Sequence, residues 1–504
     1  SPSILVPAGM LTMPPKNFWH YDIEPDPTRK NRRDAWAAAK IVGGGSSVNA
    51  MLWVRGNPAD YDGWAAQGAD GWDYESLLPH MRSIEKYEGG GSHWRGGSGP
   101  QRVSSIRMKH PMAAHFLAGA AEAGIPNIDD YNGQTQLGSG WAQLSQRRGM
   151  RHGTGRSFLA PARRRFQVTL IQNARVHRVL LQEKRAIGIE YEVAGKIQRA
   201  RASREVILSA GALESPAILL RSGIGDAKSL GKLGIEVVSD VPGVGKNLQE
   251  HPAISMTFDV TERTLNQELS AWGVVKHGLN FLLRGRGPAT TGPTHATAFE
   301  RLEEGAGAPT YQLMMVPLAL AADRPTVDNP DNIHDKQNVK LSDTSRVTIF
   351  IARLHPSGRG SVTLRSADPH GKSIIEFPFF DNPSDIRVLT AGARRVRDIF
   401  ATEAMKPYVV GESALTREIE TDEQWENYIR ETGYGGSHWV GTAKMGRLDD
   451  PLAVVDARLR VRGIQGLRVV DASVMPTITS GNTNAPSIII GEKGAHLIAE
   501  DGPI

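Results

Sequence analysis

Two polar residues near the end of the chain have the types and the setting that proton transfer requires. His438 lies in the glycine-rich residues 435–446, and Asn482 lies in residues 480–486, which are rich in Gly, Ser and Asn. An imidazole has an unperturbed pKa of about 6.5, so it can accept a proton near neutral pH. An asparagine amide adds a hydrogen-bond donor without a charge. The pair is therefore a candidate for acid–base chemistry.

Two glycine-rich stretches indicate a phosphate-bearing ligand. Residues 39–49 contain three consecutive glycines and two serines, which let the backbone lie flat against a ring or a phosphate. Residues 211–225 follow a short apolar strand at 205–209 and are expected to begin a helix at Ser215, whose N-terminus would face an anion. The ligand is expected to be a cofactor.

The sequence between these segments predicts strands of two kinds. Short β runs separated by turns predict a β-meander inserted between two parallel strands. These runs are residues 168–171, 176–181, 186–193, 198–202 and 206–209. Later runs predict an antiparallel sheet in a second domain, and they are residues 254–260, 311–316, 348–354, 361–364 and 373–377. Residues 467–473 are expected to return as a strand to the cofactor domain, which a helix at 485–499 closes.

Length and composition limit the function classes. The 504 residues exceed one ordinary core, so two domains are expected. A net charge of +5 is spread along the chain and does not predict nucleic-acid binding. The sequence has no cysteine, which excludes disulfides, thiolate catalysis and cysteine metal sites, and no metal site is predicted. No apolar run reaches the length of a membrane span, and a cytoplasmic location is the expectation.

The glycine-rich stretches, with their flanks, resemble both signature sequences of the glucose-methanol-choline family of flavin oxidoreductases. Residues 39–49 continue through residues 51–62 as the first signature does, and residues 211–225 match the second. The resemblance runs from the first residues to about residue 500. It implies an α/β fold, α+β overall, with a Rossmann-like FAD-binding domain carrying an inserted β-meander and a substrate domain on an antiparallel sheet. The implied boundaries are 1–55, 155–252 and 445–504 for the FAD domain, and 56–154 and 253–444 for the substrate domain.

The resemblance also implies roles for individual residues. His438 would be the base and Asn482 the second polar contact to the substrate oxygen, and their separation of 44 residues agrees with the family's spacing. Asp471 and Ala472 would lie near the ribityl phosphate, Val176 near the adenine and Thr483 at the pyrimidine edge. The residues implied along the isoalloxazine and pyrophosphate are Gly43, Gly44, Ser47, Asn49, Met51 and Leu52.

Three departures from the family pattern bear on the cofactor. Val48 stands where some members have a histidine that links FAD covalently, so non-covalent FAD is expected. Ala38 and Ala39 precede Lys40 where many members have Arg-Gly. The G-x-G-x-x-G unit that opens the family does not precede Ser1, so either a leading segment lies outside this sequence or the protein is truncated. A truncated chain should hold FAD poorly, because that unit clamps the ADP half.

The leading hypothesis is oxidation of an alcohol to an aldehyde or ketone, with hydride transfer to flavin N5 and oxygen or a quinone-like molecule as the electron acceptor. A flavin-containing lyase of the same family is the alternative. Asn482 argues against it, because such lyases tend to carry a second histidine there. A non-catalytic binding protein is a third reading, if the chain cannot hold FAD. The identity of the alcohol and the oligomeric state stay open.

Overall fold

The strand that precedes the second glycine-rich stretch pairs with a strand from the C-terminal part of the chain. This pairing brings the two regions together. In the computed structural model, which describes residues 2–268, 271–302, 307–319 and 341–502, the strand Val206–Leu208 pairs in parallel with Leu467–Val469. The helix Gly211–Arg221 follows the first of these strands directly. The return of residues 467–469 to this position was predicted from the sequence, and the pairing confirms it.

A three-stranded antiparallel meander precedes the parallel pair. Its strands are Ala174–Gln182, Arg185–Val193 and Lys196–Arg201, with the second strand in the centre. The predicted meander is therefore confirmed with shifts of one or two residues at its ends. The predicted strand at 168–171 is wrong: this segment is irregular, and Ile171 is 49% exposed. Among the described residues no strand lies beside it to pair its backbone groups, and an apolar run needs such a partner to form a strand.

The largest sheet has seven antiparallel strands, which confirms the predicted sheet. In spatial order the first six are Val409–Glu412, Pro252–Val260, Arg346–Arg353, Tyr311–Val316, Ala296–Glu300 and Gly138–Trp141. The seventh strand, Tyr434–Gly435, pairs with Pro252–Val260. The prediction that residues 361–364 and 373–377 belong to this sheet is wrong, because among the described strands residues 361–364 and 373–376 pair only with each other and form a separate hairpin.

Smaller strands and the helices complete the fold, which is mixed α/β as predicted. The remaining strands are Phe18–Asp22, Ala35–Ala39, Glu85–Tyr87, Gln101–Ser105, Gln143–Leu144, Gln146–Arg147, Met150–Arg151, Ile224–Gly225 and Ser239–Asp240. The α-helices are Pro2–Leu5, Pro58–Ala66, Tyr74–Ile84, Pro111–Glu122, Ala160–Arg165, Gly211–Arg221, Ala227–Lys232, Leu265–Glu268, Ala271–Arg284, Pro383–Ala401, Asp422–Thr432 and Asn484–Asp501. Among the described residues, no helix has both the length and the apolar content needed to cross a bilayer.

The helix Gly211–Arg221 begins one turn earlier than predicted, so Pro216 lies inside it. A proline has no N–H to donate to the carbonyl four residues earlier, which here is that of Ala212. The Thr442 hydroxyl donates to this carbonyl at 2.7 Å instead. The helix therefore tolerates its proline because a side chain from the segment that carries His438 replaces the lost hydrogen bond.

Two large hydrophobic clusters lie on either side of the segment 435–446, which we call the histidine segment. One cluster contains Trp64 and the parallel strands, and Val440 and Met445 are buried in it. The other lies around the seven-stranded sheet, and Trp439 packs against it. The histidine segment thus contacts both clusters, and His438 directly precedes the first of the residues that make these contacts.

Candidate active site

His438 lies on a bulge of the histidine segment. On each side of this bulge, backbone hydrogen bonds join the segment to residues 249–251. The N–H of Gly436 donates to the carbonyl of His251 at 3.0 Å, and Gln249 and Val440 exchange backbone hydrogen bonds at 3.0 and 3.1 Å. One residue on one side, Glu250, therefore faces three on the other, 437–439. Such a bulge bends the backbone and redirects a side chain. Ser437 adopts the left-handed conformation, with φ of 60°, to make this turn.

Glu250 fills the bulge from inside. Its side chain is fully buried, and its carboxylate accepts hydrogen bonds from the N–H of His438 at 2.9 and 3.0 Å. The same carboxylate accepts the N–H of His251 at 2.7 Å. A side chain at Gly436 would place its Cβ 2.9 Å from Nδ1 of His438, so only glycine leaves the imidazole in place. The histidine is thus held by its own backbone as well as by its ring.

A chain of hydrogen bonds fixes which nitrogen of His438 carries the proton. Nε2 of His251 lies 2.9 Å from the carbonyl oxygen of Leu354, which can only accept, so this nitrogen carries a hydrogen. Full burial lowers the pKa of His251 well below 6.5, so this ring is neutral and its Nδ1 is an acceptor. Nδ1 of His438, 3.0 Å away, must then be the donor. The Nε2 of His438 is left unprotonated.

Asn482 lies directly at this free nitrogen. Its Nδ2 is 3.0 Å from Nε2 of His438, so the amide donates and the imidazole accepts. This assignment follows from the hydrogen-bond network, as amide orientations must. Desolvation lowers the pKa of His438, a half-buried residue, to about 4. At neutral pH the site therefore presents an unprotonated nitrogen beside an amide donor, which suits removal of a proton from a hydroxyl.

A buried carboxylate holds the loop that carries Asn482. Asp60 accepts the N–H of Ser480 at 2.7 Å and its hydroxyl at 2.8 Å, and it also caps its own helix through the N–H of Asn57 at 2.8 Å. Nε2 of His355 lies 2.9 Å from the Ser480 hydroxyl. Asp60 belongs to the end of the first glycine-rich signature, so the signature positions one of the two predicted active-site residues.

The predicted cofactor residues at 43–52 form a tight turn that glycine makes possible. Gly43 has a φ of 94°, and a Cβ there would lie 2.5 Å from Oγ of Ser47. The Ser47 hydroxyl donates to the carbonyl of Val42 at 2.9 Å, while Oδ1 of Asn49 accepts the N–H of Met51 at 3.0 Å. Next to this turn, a Cβ on Gly44 would meet nothing within 4 Å, so one side of the turn is open. Met51 and Leu52 are buried in a small core cluster.

The other predicted cofactor residues lie around the parallel strands. The Asp471 carboxylate accepts the N–H of Gly211 at 2.8 Å and the Ser215 hydroxyl at 2.6 Å. It therefore occupies the helix start at which the sequence predicted a phosphate. Ala472 and Val176 both pack against the core cluster that contains these strands. Thr483 is buried next to Asn482.

Three buried polar groups near these segments fit FAD, the cofactor that the family resemblance implies. Oδ1 of Asn482 and Nδ2 of Asn484 are buried without a hydrogen-bond partner among the described residues, as the polar edge of a flavin would require. Arg151 donates to Oδ1 of Asn49 at 2.7 Å, and in the described part of the chain it has no carboxylate partner. Burial lowers its pKa to about 10, which still leaves a cation beside the glycine turn for an anionic group.

Sequence reasoning missed three of the residues that shape this site. Glu250 and His251 end the polar stretch of residues 240–251, and two adjacent titratable residues before a strand were the available signal. Arg151 gave no signal, because its burial without a carboxylate depends on the tertiary fold. Of the predicted residues, the structure brings His438 and Asn482 into contact and places the cofactor residues in two groups, at the glycine turn and at the parallel strands.

The chain resembles known proteins over most of its length. Patterns of the GMC oxidoreductase family match residues 5–253 and 356–491. The chain is similar to an oxygen-dependent choline dehydrogenase of Brucella anthropi, with 35% identity over all of this chain and 89% of the relative. It is also similar to the mitochondrial choline dehydrogenase of Mus musculus, with 35% identity over 96% of this chain and 79% of the relative.

Solved structures with the same fold include oxidases. Pyridoxine 4-oxidase from Mesorbium loti superposes with a TM-score of 0.86 at 25% identity, over 99% of this chain and 92% of the other. A formate oxidase variant from Aspergillus oryzae, made to study FAD modification, superposes with a TM-score of 0.90 at 25% identity, over 99% and 91%. Dehydrogenases and oxidases among these proteins favour an oxidoreductase over the lyase alternative. The chain therefore belongs to the GMC oxidoreductase family, whose members use FAD to oxidise CH–OH groups.

Proposed function

We propose that His438 is the base that activates the alcohol in this enzyme and that Asn482 orients the alcohol oxygen. One observation carries the proposal: the hydrogen-bond chain from Leu354 through His251 leaves Nε2 of His438 unprotonated. Because this nitrogen accepts from the Asn482 amide when no alcohol is present, a substrate hydroxyl must take the place of that bond. The hydroxyl can then donate to Nε2 while the amide donates to its oxygen.

The protein's part of the reaction follows from this geometry. Nε2 of His438 accepts the hydroxyl proton, which increases the negative charge on the oxygen. The Asn482 amide stabilises that charge by a hydrogen bond directed at the oxygen. FAD, when bound, supplies the acceptor for the hydride that leaves the carbon. Residues 43–52, 176, 471, 472 and 483 are proposed to hold it, without a covalent bond because Val48 offers no linking group.

The substrate is proposed to be a small alcohol, and the final electron acceptor is oxygen or a quinone-like molecule. The relatives named as choline dehydrogenases make choline the first alcohol to test, although Glu250, a carboxylate next to the base, is fully buried and occupied by backbone N–H groups. Primary aliphatic alcohols, aryl alcohols and polyols complete the panel. Reoxidation of the reduced flavin in air, compared with a soluble quinone, separates the two acceptor classes.

The roles of the residues are tested by reducing the flavin with each alcohol in the absence of oxygen. The rate of reduction is monitored by stopped-flow absorbance. General-base catalysis contributes about 100- to 10,000-fold, so His438→Ala should slow flavin reduction by at least about 100-fold. His93→Ala, at an exposed loop position, is the matched control and should leave the rate unchanged. A His438→Ala enzyme that binds FAD normally and reduces it at the original rate would show that another group removes the proton. A flavin that stays oxidised during turnover would indicate the lyase.

A further inference from the structure

We propose that His177, Glu192 and His370 form a zinc site that joins the meander to the hairpin of residues 361–376. His177 and Glu192 lie in neighbouring strands of the meander, and His370 lies 178 residues after Glu192. One ring nitrogen of each histidine and one carboxylate oxygen of Glu192 all lie within 4.8 Å of one another. Two imidazoles and one carboxylate are a ligand set that zinc takes in proteins, with a water molecule in the fourth position.

Two distances between the ligand atoms are close to those of a tetrahedral site. Oε2 of Glu192 lies 3.2 Å from Nε2 of His177 and 2.8 Å from Nε2 of His370. Zinc–ligand bonds of about 2.0–2.1 Å give tetrahedral edges of about 3.3 Å. The two edges from Glu192 thus differ from this value by about 0.1 and 0.5 Å, and the third edge, between the two histidines, is at most 4.8 Å.

The meander explains how two of the ligands share a face. Arg175 pairs with Glu192 across the two strands, and Val176 pairs with Tyr191, but Arg178 pairs with Glu190. His177 is therefore the extra residue of a β-bulge. As the second residue after Arg175 it projects to the face on which Glu192 lies. The bulge turns its ring toward the hairpin turn that carries His370.

A buried nitrogen without a partner is the independent observation that points to a ligand. His177 is 7% exposed, and its Nε2 has no hydrogen-bond partner among the described residues. Glu192 lies close to it but in poor hydrogen-bonding geometry, whereas it makes a regular hydrogen bond of 2.8 Å with His370. Burial of an unpaired imidazole nitrogen is costly, and coordination to a metal would satisfy it. The side chain of His370 is 54% exposed, which provides an entry path for the ion.

A second cluster, His80, Glu492 and His496, provides the internal control. Its atoms also lie within 4.8 Å of one another, but they lie on the surface between two helices, and His496 is exposed. Nε2 of His496 already makes a hydrogen bond of 3.3 Å to Glu492. Because this cluster has no buried nitrogen in need of a partner, it does not carry the same inference, and His496→Ala reports on any zinc bound there.

Zinc binding to the untagged, FAD-loaded chain tests the site. The protein is stripped with a chelator, titrated with Zn²⁺ against a colorimetric indicator, and titrated separately with Co²⁺, whose visible spectrum reports tetrahedral coordination. We expect one Zn²⁺ per chain, a higher melting temperature with zinc, and unchanged affinity in His496→Ala. Even outer partners of metal ligands contribute about 10- to 100-fold to affinity, so His370→Ala should bind zinc at least about 10-fold more weakly.

The variants are chosen so that misfolding cannot produce the expected result. His370 lies in an exposed turn, and Glu192→Gln keeps the side-chain volume, so both variants should retain bound FAD and the melting temperature of the metal-free protein. Equal zinc affinity in wild type and His370→Ala would overturn the proposal, as would loss of binding in His496→Ala alone. Absence of zinc binding at micromolar concentrations would overturn it as well. None of these results depends on which residue removes the substrate proton.

Discussion

His251 should control the activity of this enzyme without contacting the substrate. Its Nδ1 is the acceptor that keeps the proton of His438 on Nδ1, 3.0 Å away, and so leaves the Nε2 of His438 free. His251→Ala removes this acceptor and also the donor to the Leu354 carbonyl. The imidazole of His438 can then carry its proton on either nitrogen, and the tautomer protonated on Nε2 cannot accept a proton from an alcohol.

The size of the effect follows from the cost of a buried donor that loses its partner. Leaving such a group unsatisfied costs about 1–3 kcal/mol. In His251→Ala the tautomer of His438 protonated on Nδ1 bears this cost and the other tautomer does not, so the reactive fraction, and with it the rate constant for flavin reduction, falls by about 5- to 150-fold. The loss should be smaller than that of His438→Ala, because the base itself remains.

His251→Asn is the matched variant. Its Oδ1 can occupy the position of the lost Nδ1 and accept from His438, but the shorter side chain cannot reach Leu354. The rate should therefore recover toward that of wild type in His251→Asn, while both variants lose the hydrogen bond to Leu354 equally. The assay is stopped-flow reduction of the flavin by a saturating alcohol without oxygen, with FAD content and melting temperature measured for each protein.

Two results would refute this reasoning. If His251→Ala retained FAD and reduced it at the wild-type rate, the tautomer of His438 would not depend on His251. If His251→Asn and His251→Ala were equally slow, the effect would come from packing or from the bond to Leu354.

Three further predictions test the surroundings of the base. Because desolvation holds the pKa of His438 near 4, kcat/KM should be independent of pH between 6 and 9 and fall as the pH drops toward 4, and a bend near 6.5 in the pH profile would contradict this. Thr442→Val, which leaves the Ala212 carbonyl unpaired, should lower the free energy of unfolding in urea by about 1–3 kcal/mol, whereas an unchanged value would mean that water replaces the hydroxyl. Asp60→Asn weakens the acceptor for the Ser480 backbone and hydroxyl, so it should slow flavin reduction more than it changes KM, and an equal effect on both would indicate a general loss of fold.

Local patterns predicted much of the fold, because the strands in question carry their own signals. In the meander strand Ala174–Gln182, buried and exposed residues alternate over part of the length, whereas Tyr311–Val316 is an almost continuous apolar run. Both patterns are typical of β-strands. Residues 168–171 are apolar in the same way, but no strand in the described structure pairs with them. Pro216 misled the prediction of a helix start, because a remote hydroxyl makes it acceptable inside a helix. The division into two domains stays a prediction.

The site was predictable only for residues that lie in a recognisable local motif. His438 and Asn482 stood out because each lies in its own glycine-rich turn, and the structure places them 3.0 Å apart. His251 lies 187 residues before His438, and nothing in the sequence indicates that the two rings meet. That contact arises from the pairing of Pro252 with Gly435 in the large sheet, a long-range register that no local pattern encodes.

The position of the base relative to the cofactor segments is fixed by a second set of backbone contacts. Downstream of His438, the N–H groups of Ala443 and Met445 donate to the carbonyls of Ser473 and Val474 at 2.8 and 2.9 Å. The base thus lies on a bulge that is hydrogen-bonded to the strand Pro252–Val260 and the residues before it on one side, and to the short helix Ala472–Val474, which follows the parallel strand Leu467–Val469, on the other. Transfer of a hydride and a proton from one alcohol requires both acceptors to be placed within a fraction of an ångström. A bulge held at both ends meets this requirement, whereas the same histidine on a free loop would not.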